Sequence, residues 1–393
     1  MQRTQRRHYR PGHGCSTLLV VALAALPFTP LEVGRVQAQQ VDSLSPNASI
    51  FARGLIAPRG LKFGPDGFLY VAEAGVGGTT KATGQQVPPP VGPYTGGKTA
   101  RISKISPAGV RTTVVDGLPS TITSKASGSE PGGVGDVAFV NGTLYALLFG
   151  GGASHGNPDM PNGILRVNPD HTTTLIANLS AFLRAHPVAQ PEDEDFEPDG
   201  TWYGMVRLGT TLYAVEPNHG ELDKVTLDGH ISRVADISFF MDHIVPTSVA
   251  IGPDGNFYLG NLSTIPYLDG KALILKVTPQ GQVSIAATGL TTVLGVAFDR
   301  QGRLYALESS TGNPAKPPFL LPGTGKVVRR TTAGTWETVA AGLTFPTAMT
   351  FGRDGKLYVS NFGYNARPGQ GQIVRISLSL RFNHGRVRAS EAC

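Results

Sequence analysis

Glu73, Leu148, Glu216, Asn261, Glu308 and Asn361 share one register of the sequence: each stands three residues after a tyrosine that itself follows Leu or Phe. All but Leu148 carry carboxylate or amide oxygens, the donors a hard cation takes. Glu73, Glu216, Asn261, Glu308 and Asn361 turned toward one point would form a calcium shell. The same residue types at the end of a hairpin also hydrogen-bond to the backbone of a neighbouring strand or loop, so bracing competes with metal binding at all five.

Other chemistry-bearing patterns lack the setting their chemistry needs. Residues 92–99 read Gly-Pro-Tyr-Thr-Gly-Gly-Lys-Thr and satisfy the P-loop pattern. A phosphate cradle lies between a strand and a helix, whereas this segment follows Pro88-Pro89-Pro90 and leads into a strand expected at 101–105. Gly152-Ala153-Ser154-His155-Gly156 matches the G-x-S-x-G nucleophile pattern. It lies in a glycine-rich loop, not at the strand-to-helix turn of an α/β sheet, so Ser154 is not the expected nucleophile. His155, His186, His219 and His243 fall in loops on one side without the close spacing of a zinc site. The acidic run Glu192-Asp193-Glu194-Asp195, with Glu197 beyond it, reads as a solvated surface that could also hold calcium or a basic partner.

The elements that must position these residues are repeated hairpins. Residues 61–73 run Leu-Lys-Phe-Gly-Pro-Asp-Gly-Phe-Leu-Tyr-Val-Ala-Glu, two alternating apolar segments around a turn in which Pro presets φ, Asp bonds its own backbone and Gly accepts positive φ. The Leu/Phe-Tyr pair recurs at Tyr70, Tyr145, Tyr213, Tyr258, Tyr305 and Tyr358, using six of the eleven tyrosines. Third strands are expected at 101–105, 163–167, 221–225, 273–277, 326–330 and 372–376, and fourth strands at 112–118, 174–179, 232–237, 284–290 and 337–343. The missing fourth strand lies at the front, where residues 49–55 repeat the pattern. Stacked units of this kind cannot bury their faces alone, and the architecture that follows is all-β: a six-bladed β-propeller of four-stranded blades, its ring closed by the N-terminal strand.

Composition sets the remaining bounds. The expected organisation is a signal peptide at 1–38, a linker at 39–48, one propeller domain at 49–376 and a disordered tail at 377–393. The signal reading rests on Arg3, Arg6, Arg7 and Arg10, an apolar run at 16–28 too short to span a bilayer, and Val36-Gln37-Ala38 for cleavage. It implies a secreted or periplasmic protein with no stable membrane span after cleavage. The first segment contributes +4 and the tail +2 to the overall charge of +6, so the propeller body is formally neutral. That excludes the basic footprint nucleic acid requires. Loss of Cys15 with the signal leaves only Cys393, so the fold must stand without an internal disulfide.

All the long loops fall on one face of such a propeller and the tight turns on the other, so function is expected on the loop face. The ligand-binding residues expected there are Arg59, Asp136, His155, Tyr203 and His219. The hairpin Gly-Pro-Asp-Gly-Phe-Leu-Tyr-Val resembles the NHL and SMP-30/gluconolactonase class of propellers. Residues 245–255, with Asn261-Leu262-Ser263 following, resemble the ScyD/ScyE family, as do residues 343–361. The likeness covers roughly 49–376 and implies an exported propeller, with no catalytic residue to carry across. Lactonases of the related class hold calcium largely from the starts of their innermost strands. The corresponding positions here are Arg59, Gly135, Tyr203, Thr247, Leu294 and Thr347, so that site is not reproduced, although Asp136 and the Glu73 set could build another. Two readings follow: binding of a small molecule or protein at the loop face without catalysis, or a metal-dependent, lactonase-like hydrolase at the channel mouth.

Overall fold

A computed structural model describes residues 43–191, 196–241 and 243–378. The expected signal peptide, the start of the linker, the acidic run at 192–195 and all but the start of the tail lie outside the described residues. The described residues form six antiparallel sheets, five built on four blade strands consecutive in sequence and the sixth on the last three strands and the first. Blade 1 is built from Pro58–Phe63, Leu69–Glu73, Thr95–Ile105 and Arg111–Ile122. Blade 2 comprises Val134–Val140, Thr143–Leu148, Gly163–Val167 and Thr173–Asn178; blade 3 comprises Gly204–Leu208, Thr211–Glu216, Glu221–Val225 and Ile231–Asp236. Blade 4 runs through Pro246–Ile251, Phe257–Asn261, Ala272–Val277 and Val283–Leu290, and blade 5 through Val293–Phe298, Leu304–Glu308, Gly325–Arg330 and Trp336–Leu343. Blade 6 takes Ala348–Phe351, Leu357–Asn361 and Gly371–Ile376, and its outer strand is Ala48–Leu55. Among the described residues no helix is long and apolar enough to cross a membrane.

The recurring turn has a chemical reason to recur. In blade 1, Asp66 Oδ1 accepts the N–H of Phe68 at 3.2 Å while its Oδ2 accepts the hydroxyl of Tyr70 at 2.9 Å. Asp254 with Tyr258, Asp299 with Tyr305 and Asp354 with Tyr358 repeat the hydroxyl bond at 3.1, 3.1 and 3.0 Å. Gly67 takes φ +81°, and a Cβ on Gly64 would stand 2.7 Å from the ring of Tyr70, so the glycines supply both the turn and the seat of the ring. The tyrosines then pack edge-on against a phenylalanine of the next blade: Tyr70 on Phe139, Tyr258 on Phe298, Tyr305 on Phe351 and Tyr358 on Phe63, with centroids 4.8–5.2 Å apart. Each such pair is worth about 0.5–1.5 kcal/mol beyond the area it buries.

Closure follows the expected pairing. Ala48 lies opposite Ile376 and Leu55 opposite Gly371, with two register shifts between them. Asn47 Nδ2 adds bonds of 3.1 Å to the carbonyls of Val339 and Ser377, tying the start of the described chain to blades 5 and 6.

Blade 1 departs from expectation. Its third and fourth strands run on past the blade as a long ribbon, joined by the short strands Thr80–Lys81 and Pro131–Gly132. Residues 95–100, expected in a loop, are strand, paired from Thr95 opposite Ile122 to Ala100 opposite Leu118. The loops after blades 2 and 3 likewise hold short helices. Leu179–Ala185 is capped by Asn178, whose side chain accepts the N–H of Ala181 at 2.9 Å, and Ile237–Phe240 is capped by Asp236.

Candidate functional site

The five oxygen-bearing residues of the common register are buried and braced within their own blades. Glu73 accepts the N–H of Ile56 at 2.5 Å, pairs with Arg101 at 2.8 Å and takes a short hydrogen bond from Ser103. Glu308 accepts the N–H of Thr291 at 2.7 Å and pairs with Lys326 at 3.4 Å, while Asn361 accepts the N–H of Thr344 at 2.8 Å. Asn261 donates to the carbonyl of Ile244 and accepts the N–H of Leu273, both at 2.6 Å. Glu216 accepts the N–H groups of Thr201 at 2.8 Å and His219 at 2.6 Å. Four of these side chains reach a backbone group 17 positions upstream and the fifth reaches one 15 upstream, where the chain enters the blade. Their common register reflects a common structural job. Among the described residues no group of three His, Cys, Asp or Glu is placed to hold a metal ion.

The two motif look-alikes sit near each other. Thr83 N–H donates to Ala153 O at 2.9 Å, and a Cβ on Gly96 would stand 2.4 Å from the carbonyl oxygen of Gly156. The glycines of both motifs therefore permit backbone-to-backbone packing of the blade 1 ribbon on the blade 2 loop. Beneath this contact His155 is fully buried, with Nδ1 2.6 Å from Gly151 O and Nε2 3.2 Å from Glu197. Tyr94 from the ribbon donates to the other oxygen of Glu197 at 2.5 Å and stands edge-on to the imidazole. Burial works against a charged His155, but the hydrogen bond and charge of Glu197, helped by Gly151 O, outweigh it and raise the imidazole's pKa. Ser154 donates to Asp199 at 2.7 Å, and Arg184 pairs with the second oxygen of that carboxylate at 2.8 Å. Ser154 is only 1% exposed, and the adjacent imidazole is engaged by Gly151 and Glu197, so these groups form a structural lock and no nucleophile. His219 joins the same segment through Nε2, 2.9 Å from Glu197 O.

The remaining expected residues lie at the first strands. Asp136 links three blades: its carboxylate accepts Val137 N–H at 2.8 Å and Met205 N–H at 3.0 Å, and pairs with Lys62 at 3.3 Å. Burial raises its pKa despite Lys62 and the two N–H groups. Arg59 and Tyr203 are brought together directly, Arg59 Nη1 donating to Tyr203 Oη at 2.8 Å while Nη2 donates to Pro131 O at 2.5 Å. The guanidinium carbon stands 5.3 Å from the Tyr203 ring centroid and 5.8 Å from that of Phe149. Around Tyr203 the loop face carries an apolar cluster of Leu294, Leu320, Phe345 and Tyr364, flanked by half-buried Leu262 and Tyr267. Phe345 and Tyr364 stack at 4.7 Å, and burial drives the Tyr364 pKa well up. Of the expected ligand set, Arg59 with Tyr203 forms one centre, His155 and His219 share Glu197 at a second, and Asp136 braces the blades separately.

Sequence reasoning missed Tyr94, Glu197 and Asp199 as partners, and it missed Glu221 with Asp223. The last two lie on one face of the third strand of blade 3 and are both fully buried. Arg233 reaches Glu221, and Trp202 Nε1 donates to Asp223 Oδ2 at 3.0 Å, which leaves Glu221 Oε1 and Asp223 Oδ1 without hydrogen-bond partners. Burial, only partly offset by Arg233, pushes Glu221 up to about 7. Burial and then the charge of Glu221 push Asp223 well above the usual carboxylate range. The visible signal was two acids at i and i+2 in a strand whose alternate residues should be core.

No known family profile matches the chain, and no curated protein does. Solved structures do. A Bacteroides thetaiotaomicron protein of unknown function is 11% identical with TM-score 0.54, covering 86% of this chain and 77% of its own. A Thermus thermophilus protein assigned as an oxidoreductase of the glucose dehydrogenase kind is 15% identical with TM-score 0.51, covering 85% of this chain and all of its own. A Xanthomonas campestris gluconolactonase is 12% identical with TM-score 0.49, covering 84% and 89%. At these identities the likeness is one of fold, the propeller.

Proposed function

We propose that the chain is an exported propeller of the ScyD/ScyE kind that binds a small molecule or protein partner at its loop face and performs no catalysis of its own. One observation carries this reading. Glu73, Glu216, Asn261, Glu308, Asn361, His155 and His219, the expected metal ligands and bases, are engaged in named bonds within and between blades, whereas the apolar cluster of the loop face keeps half-buried Tyr203, Leu262 and Tyr267 at its surface. Family membership rests on residues 245–255 and 343–361, and export on the basic start, short apolar run and small residues of 1–38.

The test is a thermal-shift screen of the full chain, repeated with Tyr203→Ala and with Val110→Ala, the latter an exposed change at a tight turn on the other face. Ligands whose stabilisation disappears in the first variant and survives in the second support the reading. Metal-dependent lactone hydrolysis by the purified chain, abolished by chelation, would overturn it in favour of the hydrolase.

A further inference from the structure

We propose that the loop face holds a site for a small monocarboxylate carrying an aromatic or other flat apolar group, with Arg59 as the residue that recognises its charge. This deepens the reading above and rests on it.

Among the described residues Arg59 is the one Arg or Lys that is buried, and it differs from the buried acids that keep an opposite charge beside them. Glu73 has Arg101, Asp136 has Lys62, Glu221 has Arg233 and Glu308 has Lys326. Arg59 is only 5% exposed, yet its hydrogen bonds go to neutral acceptors, Tyr203 Oη and Pro131 O, and among the described residues no carboxylate stands within ion-pair distance of it. Its Nε is buried with no partner at all. Burying a cation is costly unless an opposite charge meets it, and two aromatic faces offset only part of that cost. A guanidinium presents five N–H donors in a planar fork, of which two are used here, so donors remain for a carboxylate.

The surroundings narrow the class. Tyr203 receives the Arg59 bond through its hydroxyl and belongs through its ring to the cluster with Phe345 and Tyr364, so a ligand anchored at Arg59 would lay its body against aromatic faces. Glu130 and Asp136 both act electrostatically on Tyr203, and Glu130 also acts on Tyr364, so each negative charge beyond the one that meets Arg59 adds repulsion.

The test uses the full chain, with benzoate as probe and benzamide as its neutral isostere, followed by calorimetry and by thermal shift. Benzoate is expected to bind saturably at one site and benzamide at least about ten-fold more weakly. Arg59→Met should remove the difference, while Arg59→Lys, which keeps the charge, should retain part of it. Tyr203→Phe, which keeps the ring, should leave saturable benzoate binding in place. Equal binding of the two probes overturns the charge recognition while leaving loop-face binding intact. If neither binds, the inference fails; the broader reading then survives only if hits from the general screen still depend on Tyr203. The comparison of benzoate with benzamide on the unaltered chain stands even if Arg59→Met does not fold.

Discussion

Asp223 offers the sharpest test of how this propeller is held together. Its carboxyl group is fully buried beside Glu221, and its pKa is raised by burial first and by the neighbouring charge second, so the folded chain holds this proton to a higher pH than an ordinary aspartate does. In the unfolded chain an aspartate is ionised above about pH 4. The folded state therefore binds one proton more, and a group whose folded pKa is raised contributes stability that is complete below its unfolded pKa and is lost as pH rises toward the folded one. Between the unfolded and the folded pKa the slope is at most about 1.4 kcal/mol per pH unit for that single proton. Asp223→Asn removes the titration while preserving the shape. Its amide oxygen can still accept Trp202 Nε1. Urea denaturation of both proteins at pH 5, 6 and 7 measures the difference. The variant should gain on the unaltered chain as pH rises, by up to about 1.4 kcal/mol per pH unit. Stability curves that run parallel across this range would refute the assignment of the buried proton.

Three further outcomes are expected. Deleting residues through Leu55 removes the outer strand of blade 6 and should abolish the cooperative melting transition or the solubility of the chain; an unchanged melt rejects closure by that strand. Glu216→Gln leaves one of two accepted N–H groups unmet, at about 1–3 kcal/mol, and chelator or calcium should shift neither protein; a melting temperature that falls on chelation and recovers with calcium would assign the register residues to a metal instead. Gly96→Ala drives a methyl to within 2.4 Å of Gly156 O and should cost about 1–3 kcal/mol in chemical denaturation, whereas an unaffected midpoint would mean that the ribbon does not pack on the blade 2 loop.

The blades were legible because their chemistry is local. Asp66, Gly67 and Tyr70 lie within five consecutive residues and satisfy one another, and an aspartate, a glycine and a tyrosine return in the same roles in blades 4, 5 and 6. The Glu73 register could be read as a set, but its role could not. Whether such oxygens face a cation or an N–H group depends on where the chain 17 residues upstream happens to pass. Nor does any periodicity announce the ribbon of blade 1, since Gly96-Gly97 and the prolines before it carry the signature of a loop. What makes them strand is pairing with 118–122 and contact with Gly156, both non-local. Tyr94, His155 and Glu197 meet across 103 positions of sequence, and no local pattern encodes such a meeting.

Closure by the front of the chain also dictates an order of events. A ribosome makes Ala48–Leu55 first and Gly371–Ile376 last, so the two halves of the final blade are separated by nearly the whole time of synthesis. Asn47 and Ser377, which hydrogen-bond in the finished ring, are 330 positions apart, and bringing such ends together costs about 5 kcal/mol of chain entropy beyond a fixed initiation term. Until then the emerging protein has an unpaired strand at its front and an open sheet edge at its back, each complementary to the other and equally to those of a second copy. Slow elongation or premature termination before blade 6 would thus yield chains predisposed to pair end to end. An intramolecular ring is favoured when the last strand is released while the first is still tethered nearby and other nascent chains are dilute.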